Sequence, residues 1–269
     1  MSKQYLTALH ITDFHLFADK TRCLASVNTY NTLKCVLEDI IDHRQHIYPD
    51  VIFVTGDISQ DYSEASYRIA YQELREVFGE QMPIFATCGN HEEPTRFKQY
   101  FGTASSILDQ IDEFDSWRFI ILNSQLPGSV PGMLSEENIA LLEEGLMDCN
   151  KPTAILMHHH ILPVGCRWLD NINLLNYRQT LEIIQHAPQV KLVISGHVHQ
   201  ATCSCSEGTV YLTTPSTSWQ FSINHDDFKL GSSMPGYRWI RFTKHGRFTS
   251  TTQRVKHNPN FIPDQIAGY

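Results

Sequence analysis

At 269 residues, with 42% hydrophobic and 19% charged, the chain is long enough for one large α/β domain spanning 1–269, and its composition excludes disorder. The formal charge of −8 comes with no basic stripe, which argues against nucleic acid as the main partner. The opening M-S-K-Q-Y-L-T has no apolar secretory core, no window reaches the roughly 18 apolar residues of a membrane span, and the seven scattered cysteines read as reduced thiols, so a cytoplasmic protein with no membrane partner is expected.

In chain order, Tyr5–Ile11 reads as a strand. Over residues 28–46, Leu33, Val36, Leu37, Ile40 and Ile41 recur at helical spacing. Pro49-Asp50 turns the chain into a strand at 51–55. Ser63 can cap a second helix that carries Tyr67, Ala70, Tyr71, Leu74, Val77 and Phe78 on one face. Pro83 opens a strand at 84–88. This strand–helix–strand order implies right-handed crossovers and a largely parallel core. Further on, a strand is expected at 117–122 and a helix from Ser135 to about Met147. Another strand at 153–157 is followed by a loop at 162–176, a helix at 178–186 and a strand at 190–195. Three more β segments, at 209–213, 237–242 and 247–253, close the chain.

Five of these strands end in residues that ligate metals. Asp13 and His15 lie in I-T-D-F-H, and Asp57 in V-I-F-V-T-G-D. Asn90 and His91 lie in I-F-A-T-C-G-N-H, His158 opens H-H-H after A-I-L-M, and His197 and His199 lie in L-V-I-S-G-H-V-H. Open α/β sheets place ligands at strand ends. In extended chain, residues i and i+2 project the same way, so Asp13 and His15, or His197 and His199, can grip one ion. The same alternation sends His158 and His160 one way and His159 the other if the strand persists. Taken singly, a G-D makes an Asx turn and a histidine packs in a core. Five such coincidences in one chain instead point to one site. Mixed carboxylate, carboxamide and imidazole donors suit Mn, Fe or Zn, and so many donors suit two ions sharing a bridge. Cys203 and Cys205 form a C-x-C with no second Cys or His pair beside it, so it is not read as a metal site.

The ordered blocks D-F-H, G-D, G-N-H-E, H-H-H and G-H-V-H resemble those of the calcineurin-like metallophosphoesterases, over residues 9 to about 219. The resemblance implies a four-layer αββα sandwich, two mixed β-sheets flanked by helices. It assigns one ion to Asp13, His15, Asp57 and His199 and the other to Asp57, Asn90, His158 and His197. Asp57 is then the bridge and His91 a catalytic histidine that binds no metal. The segments G-D-I-S-Q-D, H-H-H-I-L-P-V-G-C-R-W-L-D, T-P-S-T-S-W-Q-F and P-G-Y-R-W are similar to those of the bacterial class III cyclic-nucleotide phosphodiesterases. Glu92, in place of the commoner Asp, and Ile161, in place of the usual Pro, depart from that pattern. The resemblance implies hydrolysis of cyclic AMP to 5′-AMP by a hydroxide bridging two divalent ions, Fe2+ or Mn2+ foremost and Zn2+ the alternative. His15, Asn90, His91 and His199 would face the substrate, and Trp168 would stack on the base from a loop at 162–170. A homodimer is left open. The alternatives are a broad-specificity phosphodiesterase or phosphatase of the same superfamily, and a non-catalytic binding module on this scaffold.

Overall fold

Alternation along the first strand decides how the molecule layers. In a computed structural model describing residues 5–102, 106–108, 111–114, 116–223 and 225–256, strand β1 (Tyr5–Ile11) points Leu6 and Ala8 to one side and Leu9 and Ile11 to the other. Both faces are apolar, so both are covered.

The chain continues through a small ribbon, β2 (Cys23–Leu24) and β3 (Val27–Asn28), into α1 (Thr29–Asp42). Then come β4 (Val51–Val54), α2 (Glu64–Phe78), β5 (Ile84–Ala86), α3 (Pro94–Phe101) and β6 (Ser106–Leu108). The second half holds β7 (Ile111–Phe114), β8 (Trp117–Ile121), α4 (Glu136–Leu146), β9 (Thr153–Leu156), α5 (Arg167–Asp170), α6 (Tyr177–Gln185) and β10 (Val190–Ser195). It closes with β11 (Thr202–Ser206), β12 (Thr209–Thr213), a ribbon of β13 (Gln220–Phe221) and β14 (Leu230–Gly231), and the hairpin β15 (Gly236–Thr243) and β16 (Phe248–Arg254).

Two six-stranded sheets result, ordered β16-β15-β1-β4-β5-β6 and β11-β12-β10-β9-β8-β7. The neighbours β1, β4, β5 and β6 run parallel, as do β8, β9, β10 and β12, while the remaining pairings are antiparallel. Leu6, Val51, Phe53, Phe119, Leu156, Ile194 and Phe242 fill the space between the sheets. Outside the first sheet, Leu33, Leu37, Tyr67 and Leu74 of α1 and α2 pack on Leu9 and Val54. Outside the second, Ile139, Leu142 and Ile184 of α4 and α6 pack on Ile155 and Val193. This is the expected four-layer α/β sandwich of two mixed sheets flanked by helices.

Local chemistry starts the helices where expected. Asn28, Ser63 and Ser135 accept hydrogen bonds from the backbone of Asn31, Ser66 and Asn138. Two helices were not expected. Glu93 caps α3 ahead of Pro94, and α5 lies inside the segment 162–176 read as loop. Among the described residues no helix is long and apolar enough to cross a membrane. Strands β1, β4 and β5 of one sheet and β9 and β10 of the other end at the same edge of the sandwich, where the Asp, Asn and His residues gather.

Candidate metal centre

The strand ends reach the site by left-handed turns rather than by extended chain. Strand β1 stops at Ile11, and Asp13 and His15 have φ of 56° and 50°. Asp57, His197 and His199 have φ of 52°, 64° and 50°. Five of the ten non-glycine residues with positive φ among those described are thus proposed ligands. Such conformations cost about 1–3 kcal/mol each and persist where the surroundings over-determine them. Here the backbone does so: Asp13 N donates to Gly56 O at 3.0 Å and His15 N to Asp57 O at 2.9 Å. His197 N donates to Asp13 Oδ1 at 3.1 Å, across the two sheets. Gly56 has φ +89°, and a Cβ there would come within 2.3 Å of Gly89 N and 2.8 Å of His158 Nδ1. Asp13 and His15 converge on one side of Asp57 as expected, whereas His197 and His199 part to its two sides, and the geometry responsible is the turn.

Asp57 lies at the centre. Its Oδ2 is 3.7 Å from His15 Nε2 and 3.4 Å from His158 Nε2. On the first side, His15 Nε2 is 3.1 Å from His199 Nε2, and His199 Nε2 is 3.4 Å from Asp13 Oδ1. On the second, His158 Nε2 is 3.1 Å from Asn90 Oδ1 and 3.2 Å from His197 Nδ1. All of these residues except Asn90 are buried.

The opposite nitrogen of each imidazole is pinned. His15 Nδ1 meets Gln60 Oε1 at 2.8 Å, and His158 Nδ1 meets Thr55 O at 2.6 Å. His197 Nε2 meets Ile172 O at 3.0 Å, and His199 Nδ1 meets Trp219 O at 2.9 Å. Each acceptor forces a proton onto the nitrogen it faces and leaves a lone pair on the nitrogen that faces the cluster, as metal-ligating histidines require. The donor set therefore fits two divalent ions. His159 also has a ring nitrogen within 4.8 Å of ligand nitrogens of His158 and His197. Its Nδ1 bonds Ser124 Oγ and its Nε2 bonds Val130 O, which commits it to anchoring the loop beyond β8. His160 turns to Asp170, at 3.8 Å.

Burial holds His15, His159 and His197 well below the ordinary imidazole range, so they are neutral, and His15 and His197 are available as donors. Burial acts the same way on His158, but Asp57 and then Asp13 outweigh it and raise its pKa to about 9. Burial works against the Asp57 carboxylate, yet His158, His91 and His15 keep it well below its usual range. The cluster is thus a buried carboxylate site that favours positive charge.

Glu92 is the functional residue that motif reading undervalued. Its carboxylate accepts from Asp57 N at 2.8 Å, Ile58 N at 2.7 Å, Ser59 N at 3.3 Å and Gly89 N at 2.5 Å. It clamps the turn that carries Asp57 to the turn that carries Asn90. Burial and then Asp57 raise its pKa to about 7. An acid directly after G-N-H was the available signal. His91 donates its backbone N–H to Asp57 Oδ1 at 2.9 Å, and its ring stands edge-on to His15 with centroids 5.1 Å apart. Asn90 and His91 also line a cavity of about 390 Å³ that opens from the cluster. Trp168, expected over the base, packs edge-on against Phe221 and Phe228 at 4.9 and 5.1 Å, and Phe221 in turn stacks on His199 at 4.3 Å. It is not among the residues that line that cavity.

Comparison with known proteins agrees with this geometry. Residues 6–201 match the calcineurin-like phosphoesterase domain. The chain is 36% identical to the 3′,5′-cyclic adenosine monophosphate phosphodiesterase CpdA of Escherichia coli strain K12, covering 97% of this chain and 94% of that protein. It is 34% identical to the protein of the same name from Vibrio vulnificus, covering 98% and 95%. Its fold is similar to that of a dimetal phosphatase from Danio rerio, with a TM-score of 0.64 at 15% identity over 94% of this chain and all of that one. Strand order, the convergent Asp and His donors and the near-full-length likeness lead to one conclusion: the chain belongs to the calcineurin-like phosphoesterase family.

Proposed function

We propose that this chain is a metal-dependent phosphodiesterase that hydrolyses 3′,5′-cyclic nucleotides, with cyclic AMP as substrate and 5′-AMP as product. The observation that carries the reading is Asp57 Oδ2, which faces His15 on one side and His158 on the other within 3.7 Å. One ion is assigned Asp13, His15, Asp57 and His199, and the other Asp57, Asn90, His158 and His197. The nitrogen and oxygen donors, without thiolate, suit Fe2+ or Mn2+, with Zn2+ the alternative. When bound, such ions neutralise phosphoryl charge and lower the pKa of water.

The chain's own groups do the rest. The pinned imidazoles hold their lone pairs on the cluster with no reorganisation during the reaction. A water that has released one proton to solvent bonds through its oxygen to phosphorus, and the bond from phosphorus to the ribose 3′-oxygen breaks. His91, at the wall of the open cavity, donates a proton to that leaving oxygen. His15, Asn90 and His199 are assigned to face the phosphate as well.

The test compares kcat/KM for cyclic AMP, cyclic GMP, a 2′,3′-cyclic nucleotide and a simple monoester, using fully metallated protein. Cyclic AMP is expected to lead, and a leading monoester overturns the reading in favour of a phosphatase. Asp57→Ala is expected to lose both ions and all measurable turnover, whereas Asn90→Ala loses one ion and keeps residual activity. Near-normal turnover of Asp57→Ala with two ions bound would falsify the shared-carboxylate assignment.

A further inference from the structure

The cavity beside His91 has a second wall that the chemistry at phosphorus does not use. Tyr62 lines it with 46% of its surface exposed, at a left-handed φ of 58°. A tyrosine in that conformation, displayed to solvent, has no core to explain it. The turn that displays it is built firmly. The Tyr62 carbonyl accepts from Arg96 Nη1. The preceding Asp61 accepts from Ala18 N at 2.8 Å and from Ser63 Oγ at 2.6 Å. Pro127 and Val130, both exposed, line the same cavity from the loop that His159 anchors through Val130 O at 3.0 Å. An aromatic face and an aliphatic face thus border a cavity of about 390 Å³, within the ~300–1,000 Å³ range of small-molecule sites.

Gln125 sits in the same cavity. Its Nε2 donates to Glu92 O at 2.7 Å, which only the amide nitrogen can do. The orientation of the carboxamide is therefore determined, and the oxygen it has left to offer is an acceptor. Adenine carries a donor, its N6 amino group, where guanine carries the O6 acceptor.

We infer that this cavity is the nucleobase subsite, with Tyr62 stacking on the base and Gln125 Oε1 selecting adenine over guanine. The inference rests on the proposed cyclic-nucleotide activity. It moves base recognition from Trp168, which lies behind Phe221, to the opposite side of the cluster.

The experiment measures kcat/KM of metallated wild type, Tyr62→Ala, Tyr62→Phe and Gln125→Leu on cyclic AMP, cyclic GMP and methyl p-nitrophenyl phosphate, a small diester with no nucleoside. Tyr62→Ala is expected to lower kcat/KM for both cyclic nucleotides by about 5- to 150-fold, mainly through KM, as loss of one base–aromatic stack does. The small diester should suffer far less, and Tyr62→Phe should restore the nucleotide activity. Gln125→Leu should collapse the ratio of cyclic AMP to cyclic GMP toward unity, whatever it does to absolute rates. Equal losses on all three substrates in Tyr62→Ala, or an unchanged base ratio in Gln125→Leu, overturn the subsite. A wild type that turns over the small diester but neither cyclic nucleotide overturns the functional reading instead.

Discussion

His91 donates its backbone N–H to Asp57 Oδ1, and His15, His158, His197 and His199 are each pinned through the ring. In the proposed mechanism the first is an acid and the other four are ligands. His91→Ala is expected to leave both ions in place and to lower kcat for cyclic AMP by roughly 10²–10⁴-fold, the usual contribution of a positioned acid. A diester with a nitrophenolate leaving group, which departs without a proton, should lose much less. Metal analysis of the purified variant checks the first half, and loss of an ion there sinks the assignment. At this scale the site was largely legible, because the chemistry of Asp, Asn and His donors is carried in residue type. Glu92 was the exception, since its role is to receive four backbone N–H groups, and sequence says nothing of where a loop's N–H groups point. Trp168 was the opposite case. Its type suits base stacking, but it packs edge-on against Phe221 and Phe228 and does not line the cavity beside His91.

Elements were legible wherever apolar periodicity ran long. Helices α1, α2, α4 and α6 and the buried strands fall close to their expected places, with caps at Asn28, Ser63 and Ser135. Helix α3 was missed because it is eight residues long and buries only Phe97 and Phe101, although Glu93-Pro94 was a start signal. Strand β11 was missed because T-C-S-C-S carries no strong apolar side to declare a face. The turns after the strands were misread as extended chain, since left-handed Asp and His have no signature of their own. Glycines beside them do carry one. A Cβ on Gly196 would lie 2.3 Å from Thr12 Oγ1 and 2.9 Å from Asp13 Oδ2, where the end of β10 meets the end of β1. Gly196→Ala is therefore expected to push apart the turns bearing Asp13, His197 and His199. It should lower metal content after dialysis to below one ion per chain and cost several degrees of melting temperature, about 1–3 kcal/mol of overpacking. Full metal retention at an unchanged melting temperature would show that the two turns have room to spare.

Across the whole molecule, neither sheet makes the site alone: the first contributes Asp13, His15, Asp57, Asn90 and His91, and the second His158, His197 and His199. This dependence supports the proposal that the chain acts as a single domain, with one cooperative unfolding transition. A polar thread crosses the apolar space between the sheets. His10, on the inner face of β1, bonds Thr55 Oγ1 through Nε2 at 2.7 Å and Thr214 Oγ1 through Nδ1 at 2.6 Å. Arg238 Nε donates to the same Thr214 hydroxyl at 3.2 Å, and the Thr55 carbonyl holds His158. Burial, and then the Arg238 charge, keep His10 neutral, with its pKa well below the ordinary imidazole value. The unfolded chain protonates this histidine below about pH 6.5, and the folded chain does not. The unfolded state thus binds more protons there, and stability present above that pH is lost as pH falls, by up to about 1.4 kcal/mol per unit. Gln at this position keeps a donor and an acceptor but cannot charge. His10→Gln is expected to be less stable than wild type at pH 7.5 and to close that gap, or reverse it, by pH 5. The metal-ligand titrations are common to both proteins and cancel in the difference between their denaturant midpoints. A gap that stays constant from pH 7.5 to 5 would mean that His10 is protonated in the folded state, and that the thread between the sheets carries a charge its surroundings are not built to hold.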